Sequence, residues 1–283
     1  MKNALLLSLA LTAVGCGEDE VTNIAFLEPL TFFAMGDVPY SAEEEEILRQ
    51  QIADLPHEAT FLIHLGDIKS GASSCNDDVY ANVAGLMRRS ETPVFIIPGD
   101  NEWNDCRDPD AAWLLWEKHF LRFDEHWGHK LDVARQPGRQ ENFALIVGHV
   151  LVIGVNVAGG HVHDQAEWTA RHAQCLAWIA EQFKAHAGNF QSVVVLGHAR
   201  PTPKQQDFFD GLNAQVEKAG VPVLYLHGDG HDWLYDRPFP AANILRIQVD
   251  QGGKAPPLKV TVYPDTDHPF VYDRRLPAPA PSA

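Results

Sequence analysis

The chain has 283 residues, 45% of them hydrophobic and 21% charged, enough for one large core or two small ones. Acidic residues number 38 against 22 basic, a formal charge of −16. No basic stripe interrupts that charge, which argues against a nucleic-acid partner held by release of counterions from its backbone.

The first element is Met1-Lys2-Asn3 followed by an apolar run from Ala4 to Val14. The run is too short to span a bilayer, so it reads as a secretory signal. It ends in Ala13-Val14-Gly15-Cys16, which is similar to a bacterial lipobox with Ala13 in place of the usual Leu. An ordinary cleaved signal is the alternative. On the lipobox reading, residues 1–16 are a lipoprotein-type signal peptide, Cys16 is acylated, and residues 17–30 are a tether. The protein is then exported, periplasmic or lipid-anchored at the outer membrane, and touches a membrane only through that lipid.

A domain is predicted over residues 31–273. Its first strand, Phe32 to Met35, runs into Gly36-Asp37. Ser41 and Glu44 form a capping-box pattern that opens a helix to Leu55. Phe61 to Leu65 is a second buried strand, ending in Gly66-Asp67, and a helix follows from Asp78 to Arg89. Val94 to Pro98 runs into Gly99-Asp100, then a loop to Cys106 and an aromatic-rich helix from Ala111 to Phe123. This βαβαβα order predicts parallel pairing.

The pattern then becomes a hairpin, Asn142 to Val147 and Val150 to Val157, turning at Gly148-His149. A Gly-rich turn with His161 and His163 precedes a long helix from Ala166 to His186. Val193 to Leu196 ends in Gly197-His198, a helix spans Lys204 to Lys218, and Val223 to His227 ends in Gly228-Asp229. Short strands at Ile244–Val249, Lys259–Tyr263 and Phe270–Tyr272 complete the domain, and residues 274–283 read as a disordered Pro/Ala tail. Five strands thus deliver Asp or His at one sheet edge, where open α/β sheets place their ligands. Cys75 and Cys106 each follow a site loop, and an exported chain is oxidised, so a Cys75–Cys106 disulfide is predicted. Cys175 reads as a buried free thiol.

The succession Gly36-Asp37, Gly66-Asp67, Gly99-Asp100-Asn101-Glu102, Gly197-His198 and Gly228-Asp229-Gly230-His231 resembles the calcineurin-like metallophosphoesterase superfamily from Phe32 to about Trp233. The resemblance implies a four-layer α/β/β/α sandwich of two mixed β-sheets flanked by helices. It also implies a dinuclear metal site, a small phosphorylated substrate and hydrolysis by metal-activated water. Carried over, one ion takes Asp37, Asp67 and His231. The other takes Asp67, Asp100, His198 and Asp229, with Asp67 as the bridge.

The chain departs from the pattern at several places. Pro39 stands at a usual His ligand, with Tyr40 either reaching the metal instead or packing. Asp100 stands for a ligand Asn, Asn101 for the catalytic His, and Asp229 for another His. A one-place slip would make Asn101 the ligand and leave Glu102 nearby. Four aspartates nearly neutralise two divalent ions, which predicts divalent or mixed-valence Mn, Fe, Mg or Ca rather than Zn.

Asn101 and His163 are the candidate catalytic residues, with His161 and a surface role for the pair kept open. His64 reads as a core histidine and His227 as a support. Lys69 and Arg200 are either phosphate contacts or partners of the excess Asp. There is no Gly-x-Ser-x-Gly elbow, Walker loop or Rossmann fingerprint. The rival reading is a non-catalytic envelope lipoprotein that keeps the fold and binds a ligand or one structural metal.

Overall fold

A computed structural model describes residues 28–264 and 266–277. The signal and lipobox, nearly all of the tether, and residues 278–283 of the predicted tail lie outside the described residues. Arg274 pairs through two nitrogens with Asp250, and Arg275 lies over the Phe33 ring, so packed chain continues past residue 273.

Strands β1 (Leu30–Met35), β2 (Leu62–His64) and β3 (Val94–Ile96) are parallel neighbours. Antiparallel β11 (Leu258–Val262) and β12 (Phe270–Asp273) extend this sheet in the order β12-β11-β1-β2-β3. The second sheet holds β4 (Val133–Gln136), β5 (Arg139–Val147), β6 (Val150–Gly154), β7 (Ser192–Leu196), β8 (Val223–His227), β9 (Leu234–Asp236) and β10 (Ile244–Gln248). Its order is β4-β5-β6-β7-β8-β10-β9, with β6, β7, β8 and β10 parallel.

The central strands are unbroken apolar runs because both of their faces are covered. Side chains alternate across a strand, so β7 serves two cores at once. Val194 and Leu196 join Phe32, Phe61 and Phe143 between the sheets. Val193 and Val195 face the helices α4 (Gln165–Ala185) and α5 (Gln206–Ala219). On the outer face of the first sheet, Phe33 and Met35 pack with α1 (Ala42–Ala53), α2 (Asp77–Met87) and α3 (Pro109–Phe120). The result is the predicted four-layer α/β/β/α sandwich.

Polar caps open the helices. Asn76 accepts from Val79 N, Asp108 from Ala111 N, and Asp164 from Ala166 N and Glu167 N. The predicted capping box at α1 is half formed. Ser41 Oγ accepts from Glu44 N at 3.3 Å, but the Glu44 carboxylate reaches one residue further and accepts from Tyr40 N at 2.7 Å.

Other differences are local. The aromatic helix ends at Phe120, followed by a short 3₁₀ turn over Phe123–His126. The predicted loop after Asp100 is a π-helical turn, Asp100–Asn104. Strands β4 and β9 have no counterpart in the sequence reading, being three or four residues long and partly exposed. Cys75 and Cys106 are disulfide-bonded with Cα atoms 6.2 Å apart, and Cys175 is free and buried.

Phe143 sits at the centre of the inter-sheet core, its ring 5.0 Å from that of Phe95 and pressed on Gly154. Phe143→Ala should destabilise the fold by about 3–5 kcal/mol, read from the midpoint of denaturant unfolding.

Candidate metal centre

The strand ends deliver the six predicted ligands to one edge, and the turns that do so are conformationally unusual. Asp37, Asp67, Asp229 and His231 have φ of 57°, 60°, 67° and 64°, in the left-handed region. Each costs on the order of 1 kcal/mol or more for a residue with a side chain. Such strain persists only where surrounding contacts impose it.

Those contacts are visible around Asp67. A methyl group on Gly99 would lie 2.2 Å from Asp67 N and 2.3 Å from Asp67 Oδ1, so only glycine allows the two loops to touch. Asp67 Oδ1 then accepts from Asp100 N and Asn101 N, both at 3.0 Å. Glu102, fully buried, accepts from Asp67 N at 3.2 Å and Gly99 N at 2.5 Å through one oxygen. The disulfide closes this arrangement from outside, with its sulfurs 3.6 and 3.8 Å from the Asn101 carbonyl oxygen.

The donor atoms form two groups. Asp37, Asp67 and His198 make one and Asp100, His198 and Asp229 the other, with the atoms of each within 4.8 Å of one another. The structure thus places His198 between the groups, where the resemblance gave it to one ion only. Asp67 also turns an oxygen each way. Oδ1 lies 3.4 Å from His198 Nε2, while Oδ2 accepts from Tyr40 OH at 2.9 Å and Asn101 Nδ2 at 2.5 Å. His231 Nε2 is 3.5 Å from Asp37 Oδ1 and 3.3 Å from Tyr40 OH. The Tyr40 hydroxyl is therefore part of the donor cluster and also lies 3.3 Å from Asp37 Oδ1.

His198 is set up as a nitrogen donor. Its Nδ1 is 2.8 Å from Leu65 O, which fixes the N–H there and turns Nε2 to the carboxylates. Nε2 is 3.0 Å from Asp100 Oδ1, but the two are not aligned for a hydrogen bond, and both are buried without another partner. A buried imidazole nitrogen and carboxylates with donor atoms within 4.8 Å of one another fit a cation.

Charge is the governing quantity. Burial pushes the Asp37 carboxyl up to about 6, with His198 and His231 opposing and Asp229 assisting. Burial raises Asp67 well above the carboxylate range, the His198 charge opposing and Asp100, Glu102 and Asp37 reinforcing. For His198, burial acts against the charged ring, but Asp67, Asp100 and Asp37 outweigh it and the net displacement is strongly upward. For Asp100, burial is likewise outweighed, here by His198, and the net direction is down. Without a metal, the cluster holds protons in place of cations.

The remaining predicted residues divide. Asn101 enters the cluster as an amide donor. His163 does not join it: Nδ1 bonds Asn104 Oδ1 at 2.8 Å and the ring packs edge-on against Trp103. Lys69 makes no ion pair with Asp among the described residues; its ammonium is held by Ser70 O and Ser73 O, where the charges of Glu102, Asp67, Asp105 and Asp100 still act on it. Arg200 Nε lies 4.0 Å from Asp229 Oδ2, the ion-pair alternative. His64 is a core histidine bonded to Val38 O and Gly66 N, and burial depresses it to about 4. His227 bonds Gly228 O and burial depresses it to about 3.

Two participants were not singled out from sequence. Glu102 has a signal in sequence, its place three residues after Gly99, the position of a backbone-capping carboxylate. Gly159 packs so closely that a methyl group there would lie 2.7 Å from Asp100 Oδ1 and 2.9 Å from Asp229 Oδ2.

No protein-family model matches the chain, and no curated protein matches it. Solved structures do. A dimetal phosphatase from Danio rerio is 13% identical with a TM-score of 0.59, over 83% of this chain and 93% of that one. GAP50, the anchor in the inner membrane complex of Plasmodium, is 13% identical with a TM-score of 0.52, over 87% of this chain and 88% of its own. A 5′-nucleotidase from Candida albicans is 11% identical with a TM-score of 0.50, over 86% of this chain and 51% of its own. The chain shares the fold of these structures, two mixed sheets flanked by helices.

Two predictions follow from this geometry. Gly159→Ala should displace Asp100 and Asp229 and weaken divalent-cation binding by about 10- to 100-fold, measured by calorimetry. The second concerns pH. Asp37 prefers its proton in the fold, so its stabilising share is complete below about pH 4 and lost as pH rises through about 6. His64 and His227, depressed by burial, act in the opposite sense and lose stability as pH falls. The Asp37 effect is therefore read as a difference. In chelator, Asp37→Asn should gain on wild type by up to about 3 kcal/mol between pH 4 and pH 7, measured by denaturant unfolding.

Proposed function

We propose that the chain is a metal-dependent phosphoester hydrolase of the bacterial cell envelope, a phosphomonoesterase or phosphodiesterase acting on a small phosphorylated substrate. The observation that carries the reading is the convergence of Asp37, Asp67, Asp100, His198, Asp229 and His231, with His198 Nε2 and Asp100 Oδ1 buried 3.0 Å apart. Asp67, which shares the first donor group with Asp37 and His198 and takes the Asp100 and Asn101 N–H groups on Oδ1, would be the bridge if two ions bind. A bound ion pair would supply charge neutralisation for the phosphate and a sharpened water nucleophile. The rest falls to the chain itself. Asn101 Nδ2 and Tyr40 OH hold Asp67 Oδ2, and Glu102 fixes the two loops that carry Asp67 and Asp100.

The Danio rerio and Candida albicans neighbours, by their names a phosphatase and a nucleotidase, support the reaction class. Export with acylation at Cys16 remains part of the proposal, and the Cys75–Cys106 disulfide is in keeping with an oxidising compartment. The second reading, a non-catalytic envelope lipoprotein that keeps the fold, is favoured by Asn101, whose amide gives no proton, and by a neighbour described as an anchor.

Metal content and turnover separate the two. The hydrolase should take up two Mn²⁺ or Fe ions per chain by mass spectrometry and hydrolyse p-nitrophenyl phosphate or its diester. Asp67→Asn should lower both metal occupancy and turnover, the latter by about 10²-fold or more. A single tightly held ion, with no turnover in Mn²⁺, Fe or Mg²⁺, would establish the binding protein instead.

A further inference from the structure

Phosphoester cleavage needs a proton for the departing oxygen, and Asn101 cannot give one. The loop whose Gly159 packs on Asp100 and Asp229 contains a group that can. Gly159 abuts Asp100 and Asp229, and the next two residues are tied at three backbone points. Lys204 Nζ donates to Gly160 O at 2.5 Å, His161 N donates to Asp105 Oδ1 at 3.0 Å, and Asn104 Nδ2 donates to His161 O at 2.8 Å.

The His161 ring returns to the same carboxylate, with Nδ1 2.7 Å from Asp105 Oδ1 and 59% of the side chain exposed. Nε2 makes no hydrogen bond among the described residues. Asp105 is itself fastened to the π-turn, its N–H on Asp100 O at 2.9 Å and its Oδ1 accepting from Asn104 Nδ2 at 2.6 Å. The turn that presents Asp100 to the cluster therefore also presents Asp105 to His161. An imidazole fixed through Nδ1 by a carboxylate, with Nε2 open, is built to hand over a proton at a defined place. His163 lacks that form, because its Nδ1 faces a neutral amide and its ring packs on Trp103.

We propose that His161 is the general acid of this site and that Asp105 is its positioning residue. The proposal rests on the hydrolase reading. The attacking water forms the new P–O bond. The P–O bond to the leaving group breaks with its electron pair on that oxygen, and the oxygen takes the proton from His161 Nε2. Neutral His161 regains a proton from solvent, and the proton lost by the attacking water also goes to solvent.

The test is a leaving-group series, p-nitrophenyl, phenyl and ethyl phosphate, with the Mn²⁺-loaded full chain. Metal content and melting temperature are checked for every variant. A poor leaving group needs the acid most. His161→Gln should lose about 10²- to 10³-fold with ethyl phosphate and progressively less toward p-nitrophenyl phosphate. The dependence of rate on leaving-group pKa should steepen. Asp105→Asn should steepen it in the same direction by a smaller amount. An equal loss across the series, no loss, or a steepened series in His163→Gln but not His161→Gln overturns the assignment. A wild-type chain that cleaves none of these esters overturns the hydrolase reading, and this assignment with it. Wild-type turnover with a flat His161→Gln effect overturns this assignment alone.

Discussion

Mutual repulsion among buried carboxylates is the constraint that the site edge answers to. Asp37, Asp67, Asp100 and Glu102 are each 6% exposed or less, and they crowd one sheet edge with the partly exposed Asp229. Taking even one such charge out of water is costly, and like charges at this spacing add to the cost. The fold meets part of it with backbone N–H groups. Two reach Asp67 Oδ1, two reach Glu102, and Asp229 N reaches Asp37 at 3.2 Å. His198 supplies one positive charge when it carries a second proton. The balance is still negative, which makes the edge a receptor for cations.

The same need explains the backbone. A donor on a strand end points along the sheet, and bringing donors from both sheets to one point requires sharp turns. Four of the six turn in the left-handed region, and close loop contacts press on three of them, Gly99 on Asp67, Gly159 on Asp229 and Gly228 on Asp37. The supports sit one layer behind: Glu102 on two backbone amides, Glu44 on Tyr40 N, and the disulfide against the Asn101 carbonyl. Each holds a loop rather than a ligand. The strain then cannot relax by moving one residue alone.

The fold was legible because its strongest signals are local. Apolar runs stopping at Gly-Asp gave β1, β2, β3 and β8 with their direction, and Gly148-His149 gave the hairpin. The cysteine pairing was readable because both cysteines follow site loops on neighbouring parallel strands. What escaped had no local signature. Strands β4 and β9 are short and partly exposed, and the π-turn depends on an Asp105 N–H to Asp100 O bond that composition does not announce. At the site, the ligand residue types and order were readable, but the placing of His198 between both donor groups depends on where two sheets meet. The sequence reading takes His163 as the catalytic candidate over His161, with nothing in the motif to separate them. Only their partners, a neutral Asn104 for one and a carboxylate for the other, separate them.

Fold likeness alone does not divide hydrolase from binding protein, since a phosphatase and an anchor protein are similar to this chain to nearly the same degree. The donor chemistry is more discriminating. A structural Ca²⁺ is served by six to eight oxygens in a flexible shell. Here two imidazole nitrogens, on His198 and His231, stand among the carboxylates, and His198 is locked by Leu65 O into the tautomer that presents a lone pair. Nitrogen donors mixed with carboxylates suit Mn or Fe rather than Ca²⁺. Backbone strain and buried charge are what it costs the fold to bring both donor types to one sheet edge. The disulfide ties only the two loops that follow Asp67 and Asp100, so the Asp37, His198, Asp229 and His231 turns depend on the packing of the cluster itself.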